Sequence, residues 1–356
     1  MAMLWMDGFD WINPAADAVA LQYALNCRYR SADMVYSSPD AHCTPGRSGG
    51  TGLHLYHYAQ YFRTPALQEI GVSDKVFIGY AVKINQLGLD LSPIRGYRLG
   101  SQQFVFQLRA SDGFARLYPG GSWFDPGFQV GSWYYVELYV CAHPSLGEYE
   151  VRINGVTKCQ GTGVDMAEQS AAGWTNIFFY SHASVSGGAV YDDIYVLDDQ
   201  GSVNNGFLGD VKISTLRPTG DAVTQWSRSE GNENFALVDE GPVDPACEDV
   251  WNDRDYVSSG VSGKKDLYDH ENLSAEFRGS PIQAVQLVSA VRTTNPQIVT
   301  LNSKCLSGVT EVDIRSDPLA GDKYLPIIGI QETDPETGIL WTPGGLNAAQ
   351  FGVEVD

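Results

Sequence analysis

The residues best equipped for chemistry in this 356-residue chain are the adjacent carboxylates Asp192 and Asp193, in the stretch YDDIYVLDD. Successive side chains of a strand point to opposite faces. The sets Val190/Asp192/Ile194/Val196 and Tyr191/Asp193/Tyr195/Leu197 therefore put one aspartate on each face. A carboxylate carried to the buried side of a sheet needs compensation. Amides of a neighbouring loop supply it in one reading; in the other a bound Ca²⁺ does, since that ion takes carboxylate and carbonyl oxygens. Calcium is the one cofactor the residues offer, with Asp192 and Asp193 as its ligands.

Three other constellations carry less. Gly46-Arg47-Ser48-Gly49-Gly50 has the GxSxG spacing of a nucleophile elbow. That device needs a strand before the serine and a helix after it, whereas here a strand pattern follows. His54 and His57 would share a helix face but point to opposite sides of a strand, which defeats a metal pair. Glu311-Val312-Asp313-Ile314-Arg315-Ser316 approaches the ExDxxE of glycoside hydrolases, whose two carboxylates flank the scissile bond. Serine stands where the last glutamate is required, and the chain reads as non-enzymatic.

Six cysteines, at positions 27, 43, 141, 159, 247 and 305, include no CxxC pair. Hairpin geometry sets Cys141 across from Glu148 and Cys159 across from Glu150. The sulfurs would then lie about 9.5 Å apart, two strand spacings, which is too far for a disulfide. Free thiols and synthesis in a reducing cytoplasm are expected.

Charge narrows the partners. The formal net charge is −20, divided as −7 up to Gln200 and −13 beyond it. Such a balance repels phosphate backbones and anionic bilayers, so neither nucleic acid nor membrane is an expected partner. No apolar run approaches a membrane span, and the opening MAMLWMDGFDW lacks the pattern of a secretory signal.

The elements that must position these residues are strands. Val76, Ile78, Tyr80, Val82 and Ile84 alternate with smaller or polar residues, as do Phe104, Phe106 and Leu108. Val136/Leu138/Val140 and Tyr149/Val151/Ile153 form a pair of strands, and Asn154-Gly155 closes the next hairpin. MLWMDGFDWINP reads as an opening strand and Asn176 to Ser181 as a late one; AADAVALQYAL shows no clean stripe. Glycines (38) and prolines (17) punctuate the whole chain. The expectation is an all-β protein of two domains, 1–200 a jelly-roll sandwich and 201–356 a second β-sandwich. In the second, Val211/Ile213, Phe235 to Val238, Val285/Leu287/Val291, Val312/Ile314 and Phe351/Val353/Val355 have strand length, and Pro326 suits an edge. An acidic loop, VDEGPVDPACEDVWNDRDY, offers Trp251 as an anchor for a neighbouring subunit.

GFDW, GRSGGTGLHLY, GSWYYVELYV…GEYEVRINGV and YDDIYVLDD together resemble a concanavalin A-like, laminin G-like sandwich. That resemblance brings Asp7 to Asp10 beside Tyr191 to Leu197. The whole chain, with FLGDVKISTLRPTGDAVTQW, YVSS…GKKDLYD and ETDPETGILWTPGGLNAAQFGVEV, resembles tailed-bacteriophage virion proteins that join such a domain to a second β-sandwich. The resemblance implies a structural component of the particle: a tail or head appendage, a fibre or a capsid decoration, made in the bacterial cytoplasm and resident in the virion. Its partners would be other virion proteins and symmetry mates in a homo-oligomer. The alternative is a carbohydrate-binding, lectin-like module, calcium-assisted, that recognises a host-surface glycan.

Overall fold

The alternating runs become strands in the computed structural model, which describes residues 2–12, 21, 24–25, 28, 42–56, 60–68, 71–86, 91–181, 188–239, 254–274, 277, 279–294 and 298–356. The chain divides into two compact units, Met1–Ile213 and Ser214–Asp356. Trp251, Cys27, Cys247, His57 and most of AADAVALQYAL lie outside the described residues.

In the first unit the strands are β1 (Met3–Asp7), β2 (His42–Pro45), β3 (Thr51–Leu55), β4 (Gln60–Arg63), β5 (Lys75–Ile84), β6 (Leu91–Arg98), β7 (Ser101–Leu108), β8 (Ala115–Tyr118), β9 (Trp133–Cys141), β10 (Gly147–Ile153), β11 (Val156–Val164), β12 (Asn176–Ser181) and β13 (Ala189–Leu197). They make two antiparallel sheets. One runs β11-β10-β9-β5-β13-β3-β2, with β1 also on β13, and the other runs β4-β12-β6-β7-β8. Val76, Ile78, Tyr80 and Val82 of β5 turn inward, as the period of two requires, and are buried like Phe62, Phe104, Phe106 and Phe179 of the second sheet. Aromatic contacts bridge the layers, with Phe179 at 5.8 Å from Tyr191 and 6.2 Å from Tyr80. The Tyr191 hydroxyl donates to the Tyr180 carbonyl at 2.6 Å, so a buried phenol ties one sheet to the backbone of the other. This is the all-β sandwich expected from the alternation.

Two local features follow from single residues. Asn154 and Gly155 take φ of +50° and +75°, the backbone that a type I′ hairpin demands. Gly79 lies under the Tyr195 ring, where a Cβ would stand 2.1 Å from a ring carbon. That close approach lets the Tyr195 hydroxyl reach Glu137 at 2.7 Å. Gly79→Ala must push the ring aside and is expected to destabilise the first unit by about 2 kcal/mol. Thermal unfolding checks it, and an unchanged midpoint would show that the ring can move freely.

Cys141 stands opposite Glu148 as expected, but Cys159 faces Val151 rather than Glu150, because a bulge between Val151 and Arg152 shifts the β10–β11 register by one. Cys43, Cys141, Cys159 and Cys305 are all free thiols.

The second unit contains β14 (Pro218–Thr224), β15 (Ser227–Arg228), β16 (Val257–Ser258), β17 (Lys264–His270), β18 (Val285–Val291), β19 (Val299–Ser307), β20 (Thr310–Leu319), β21 (Leu325–Gln331), α1 (Pro343–Ala348) and β22 (Gln350–Val355). A five-stranded sheet runs β14-β17-β22-β19-β20, and β18 pairs with β21 as a separate ribbon. Leu301, Leu319, Ile327, Val353 and Val355 form one core between them, and Cys305, Trp341, Leu346 and Phe351 form another. Pro326 sits in the two-stranded ribbon, where each strand has a free edge to receive it.

Two expectations change here, and one short helix is added to the strands. Phe235 to Leu237 is a 3₁₀ turn, not a strand; Asp221 caps it by accepting from the Asn234 and Phe235 amides at 2.9 and 2.7 Å. Pro343–Ala348 is helical because Thr342 accepts from the Gly345 amide at 3.0 Å and Pro343 occupies the first turn. The boundary falls at 213/214 rather than 200/201, because residues 207–213 are bonded along the first unit. The Leu208 amide donates to the Tyr195 hydroxyl (3.2 Å), the Gly209 amide to Glu137 (2.8 Å) and the Ile213 amide to Asp193 (2.7 Å). Val211 and Ile213 are thus an extended strap without a ladder of their own.

Candidate functional site

The aspartate pair sits on an interior strand, β13, flanked by β5, β3 and β1. Asp7 of β1 pairs with Ile194, so the opening and closing strands of the unit are neighbours. Strict alternation fails at the aspartates. Asp192 pairs with Ala81 and Tyr195 with Gly79, so Asp193 and Ile194 stand together against Tyr80 in a bulge. Asp193 takes φ +47°, a left-handed conformation that Asp tolerates better than most residues. The extra residue changes the sets of side chains that share a face: Asp192 now goes with Tyr195, and Tyr191 with Val196.

Both carboxylates meet the Gly46–Gly50 turn that joins β2 to β3. Asp192 Oδ2 accepts from the Arg47 amide at 2.7 Å and Oδ1 from the Asp193 amide at 2.8 Å. Asp193 Oδ1 accepts from Ile213, and its Oδ2 takes the Arg47 guanidinium at 3.1 Å from Nε and 2.9 Å from Nη2. Arg47 also donates to Asp210 and to the Val211 carbonyl, and lies 5.0 Å over the Tyr135 ring. Asp10 accepts from the Thr51 amide at 2.8 Å on the same turn. The glycines explain the GxSxG spacing: a Cβ at Gly46 would stand 2.5 Å from Asp192 and one at Gly50 1.9 Å from Asp10. Ser48 is exposed at the tip of this turn, with no helix after it.

Every oxygen of Asp192 and Asp193 already accepts a hydrogen bond, and Arg47 supplies the positive charge that the calcium reading gave to a metal. The pair does not fit a Ca²⁺ site, which gathers six to eight oxygens. Among the described residues no group of three or more His, Cys, Asp or Glu side chains has the geometry to hold a metal.

Burial, and then the charge of Asp193, pushes the Asp192 carboxyl up to about 7; burial raises Asp193 and Asp10 as well. Unfolded, Asp192 releases its proton near 3.8, so across that window the folded state binds the extra proton. Its contribution to stability is complete below the unfolded value and is lost as pH rises through the folded one. The first unit is therefore expected to melt at a higher temperature at about pH 5.5 than at about pH 7.5, and Asp192→Asn should flatten the difference. A midpoint that rises with pH across this range would refute the assignment.

The other constellations resolve into scaffold. His54 is buried with its Nε2 3.0 Å from the Asn85 amide nitrogen. Lys304 joins Asp313 at 2.6 Å, Glu354 at 3.2 Å and Glu311 at 3.5 Å, so the ExDxxE-like carboxylates of β20 are ion-pair partners.

Sequence reasoning missed a second cluster. On the outer face of the β4-β12-β6-β7-β8 sheet, Phe178 stands opposite Arg63 on one side and Arg95 on the other, and Tyr180 stands opposite Tyr61. Arg95 lies 4.2 Å over the Tyr180 ring, and Arg116 lies 4.9 Å over Tyr118 and 4.5 Å over Trp123. The available signal was the i, i+2 coupling of arginine and aromatic in Tyr61/Arg63, Arg95/Tyr97 and Arg116/Tyr118.

No protein-family model matches the chain, and no curated protein does. Among solved structures it is similar to an endo-β-1,4-glucuronan lyase from Trichoderma reesei at 11% identity and a TM-score of 0.36, over 46% of this chain and 90% of that one. It is similar to the alginate lyase Aly36B at 13% identity and a TM-score of 0.35, over 54% and 96%. A Trypanosoma rangeli sialidase matches at 13% identity and a TM-score of 0.34, over 44% and 27%. Likeness at this level fixes neither a substrate nor a reaction for this chain.

Proposed function

We propose that the chain is a non-enzymatic structural component of a bacteriophage particle, a tail or head appendage, fibre or capsid decoration, acting through protein–protein contacts. The observation that carries this reading is the fate of the carboxylates best placed for chemistry. Asp192, Asp193, Glu137, Glu311 and Asp313 are each held by backbone amides, hydroxyls or cationic side chains of the scaffold. The virion resemblance of the sequence supplies the setting. A repeated subunit buries about 800 Å² a side against each stable neighbour, and the net charge of −20 favours a basic partner surface.

Mass spectrometry of purified particles tests this. The chain should be present in fixed ratio to the major shell protein, at tens to hundreds of copies for a decoration and a handful for an appendage. Absence from particles would overturn the reading. A second reading, carbohydrate binding, is favoured by one observation, the arginine–aromatic face of the five-stranded sheet in the first unit.

A further inference from the structure

The same face supports a more specific reading, which rests on the carbohydrate-binding alternative and not on residence in a particle. We propose that the outer face of the β4-β12-β6-β7-β8 sheet binds a carboxylate-bearing glycan, its rings lying along the aromatic side chains and its carboxylates meeting the arginines.

The face is basic and aromatic. In a chain of net charge −20, the outward positions of these strands carry Arg63, Arg95 and Arg116 and no Asp or Glu. The pairing of β4, β12 and β6 places Tyr61, Phe178, Tyr180 and Tyr97 among them, with Tyr97 4.2 Å from Phe178 and Tyr61 5.0 Å from Tyr180. Apart from the buried Phe178, these rings are partly exposed. Flat rings at this spacing suit the apolar faces of sugars, and the Tyr97 and Tyr180 hydroxyls, 3.5 Å apart, suit their hydroxyl groups.

The face also carries an unmet electrostatic demand. Among the described residues Arg95 and Arg116 have no carboxylate partner. Arg116 Nε donates to Gln107 at 2.8 Å, and the shielded Arg95 Nε has no hydrogen-bond partner. A guanidinium stacked on a ring keeps its N–H fork at the edge, free to take a carboxylate in two parallel hydrogen bonds. Several basic side chains elsewhere in the unit do have acids, as Arg47 has Asp193, Arg152 has Glu150 and Arg109 has Asp112. A nucleic acid fits less well: it carries one charge per about 1.7 Å of duplex and is held by many basic contacts, whereas this face offers three guanidiniums within an acidic chain.

The full chain should be titrated calorimetrically with oligogalacturonate, its neutral methyl ester, sialyllactose and single-stranded oligothymidylate. At least one carboxylated glycan is expected to bind, with affinity that falls as salt rises, and the ester to bind roughly tenfold or more weakly than the acid if oligogalacturonate is the ligand. Arg95→Gln and, separately, Arg116→Gln should each weaken that binding roughly tenfold without moving the melting temperature. The proposal fails if neither carboxylated glycan binds, if acid and ester bind alike, if both variants bind as the parent does, or if the oligothymidylate binds as tightly. A sugar bound equally well in neutral form would sink this inference while leaving the broader carbohydrate reading standing.

Discussion

Arg47→Ala is expected to lower the unfolding free energy of the first unit by about 3 kcal/mol, because truncating one partner of a buried ion pair leaves the other charged and unpaired. In the intact unit only 3% of the Asp193 side chain is exposed. The same truncation releases Asp210 and the Val211 carbonyl, so the 207–213 strap loses its side-chain clamp. Two measurements separate these effects. Urea unfolding reads the global loss, and hydrogen exchange at Gly209 and Ile213 reads the strap. Arg47→Ala/Asp193→Ala should cost less than the sum of the two single changes, since it removes both partners together. A single-mutant cost below about 1 kcal/mol would mean that water solvates this pair, as it does surface ion pairs.

Asp266→Ala should be as damaging in the second unit. Asp266 is fully buried on β17, and its Oδ1 accepts from the Gln225 and Trp226 amides at 2.7 and 2.8 Å. Its Oδ2 takes the Tyr268 hydroxyl at 3.1 Å and the Asn234 side-chain amide. Four donors converge on one carboxylate and thereby fix the path of the chain between β14 and the 3₁₀ turn. Alanine strands the Gln225 and Trp226 amides and the Tyr268 hydroxyl, while the Asn234 amide keeps the Trp226 carbonyl; at one or more kcal/mol for each stranded group the loss should be about 3 kcal/mol. Asp266→Asn keeps one acceptor oxygen but turns the other into a donor facing donors, so it should recover only part. The check is denaturant unfolding together with exchange at Gln225 and Trp226. Full protection of those two amides in the alanine variant would show that the chain finds other acceptors.

The sandwich was legible because its code is local. Apolar residues two apart in β5, β9 and β10 must face the same way, and Asn154-Gly155 specifies the turn that follows β10 without help from the rest of the chain. The neighbourhood of β1 and β13 was legible through the resemblance to concanavalin A-like sandwiches. The thiol argument survived a register error because strand spacing alone separates Cys141 from Cys159. Local signals misled where a cap or a strap overrode them: Phe235 to Leu237 has strand composition, yet Asp221, on a neighbouring strand, turns it into a 3₁₀ turn.

The aspartates mark the limit most clearly. Alternation across YDDIYVLDD could be read, but the bulge at Asp193 could not, because it depends on how β13 is matched to β5 more than a hundred residues earlier. Nor could the cation be found by spacing, since Arg47 reaches Asp193 from 146 positions away. The arginine–aromatic face has the same origin: β12 lies between β4 and β6, and only that pairing sets Phe178 between Arg63 and Arg95. The sequence by itself determined the class of fold, the period of its strands and the acidic balance of its surface, all properties of neighbours along the chain. The tertiary structure decided which charges compensate one another and which side chains form a surface, because strand pairing and register are settled by contacts between residues that are remote in the chain.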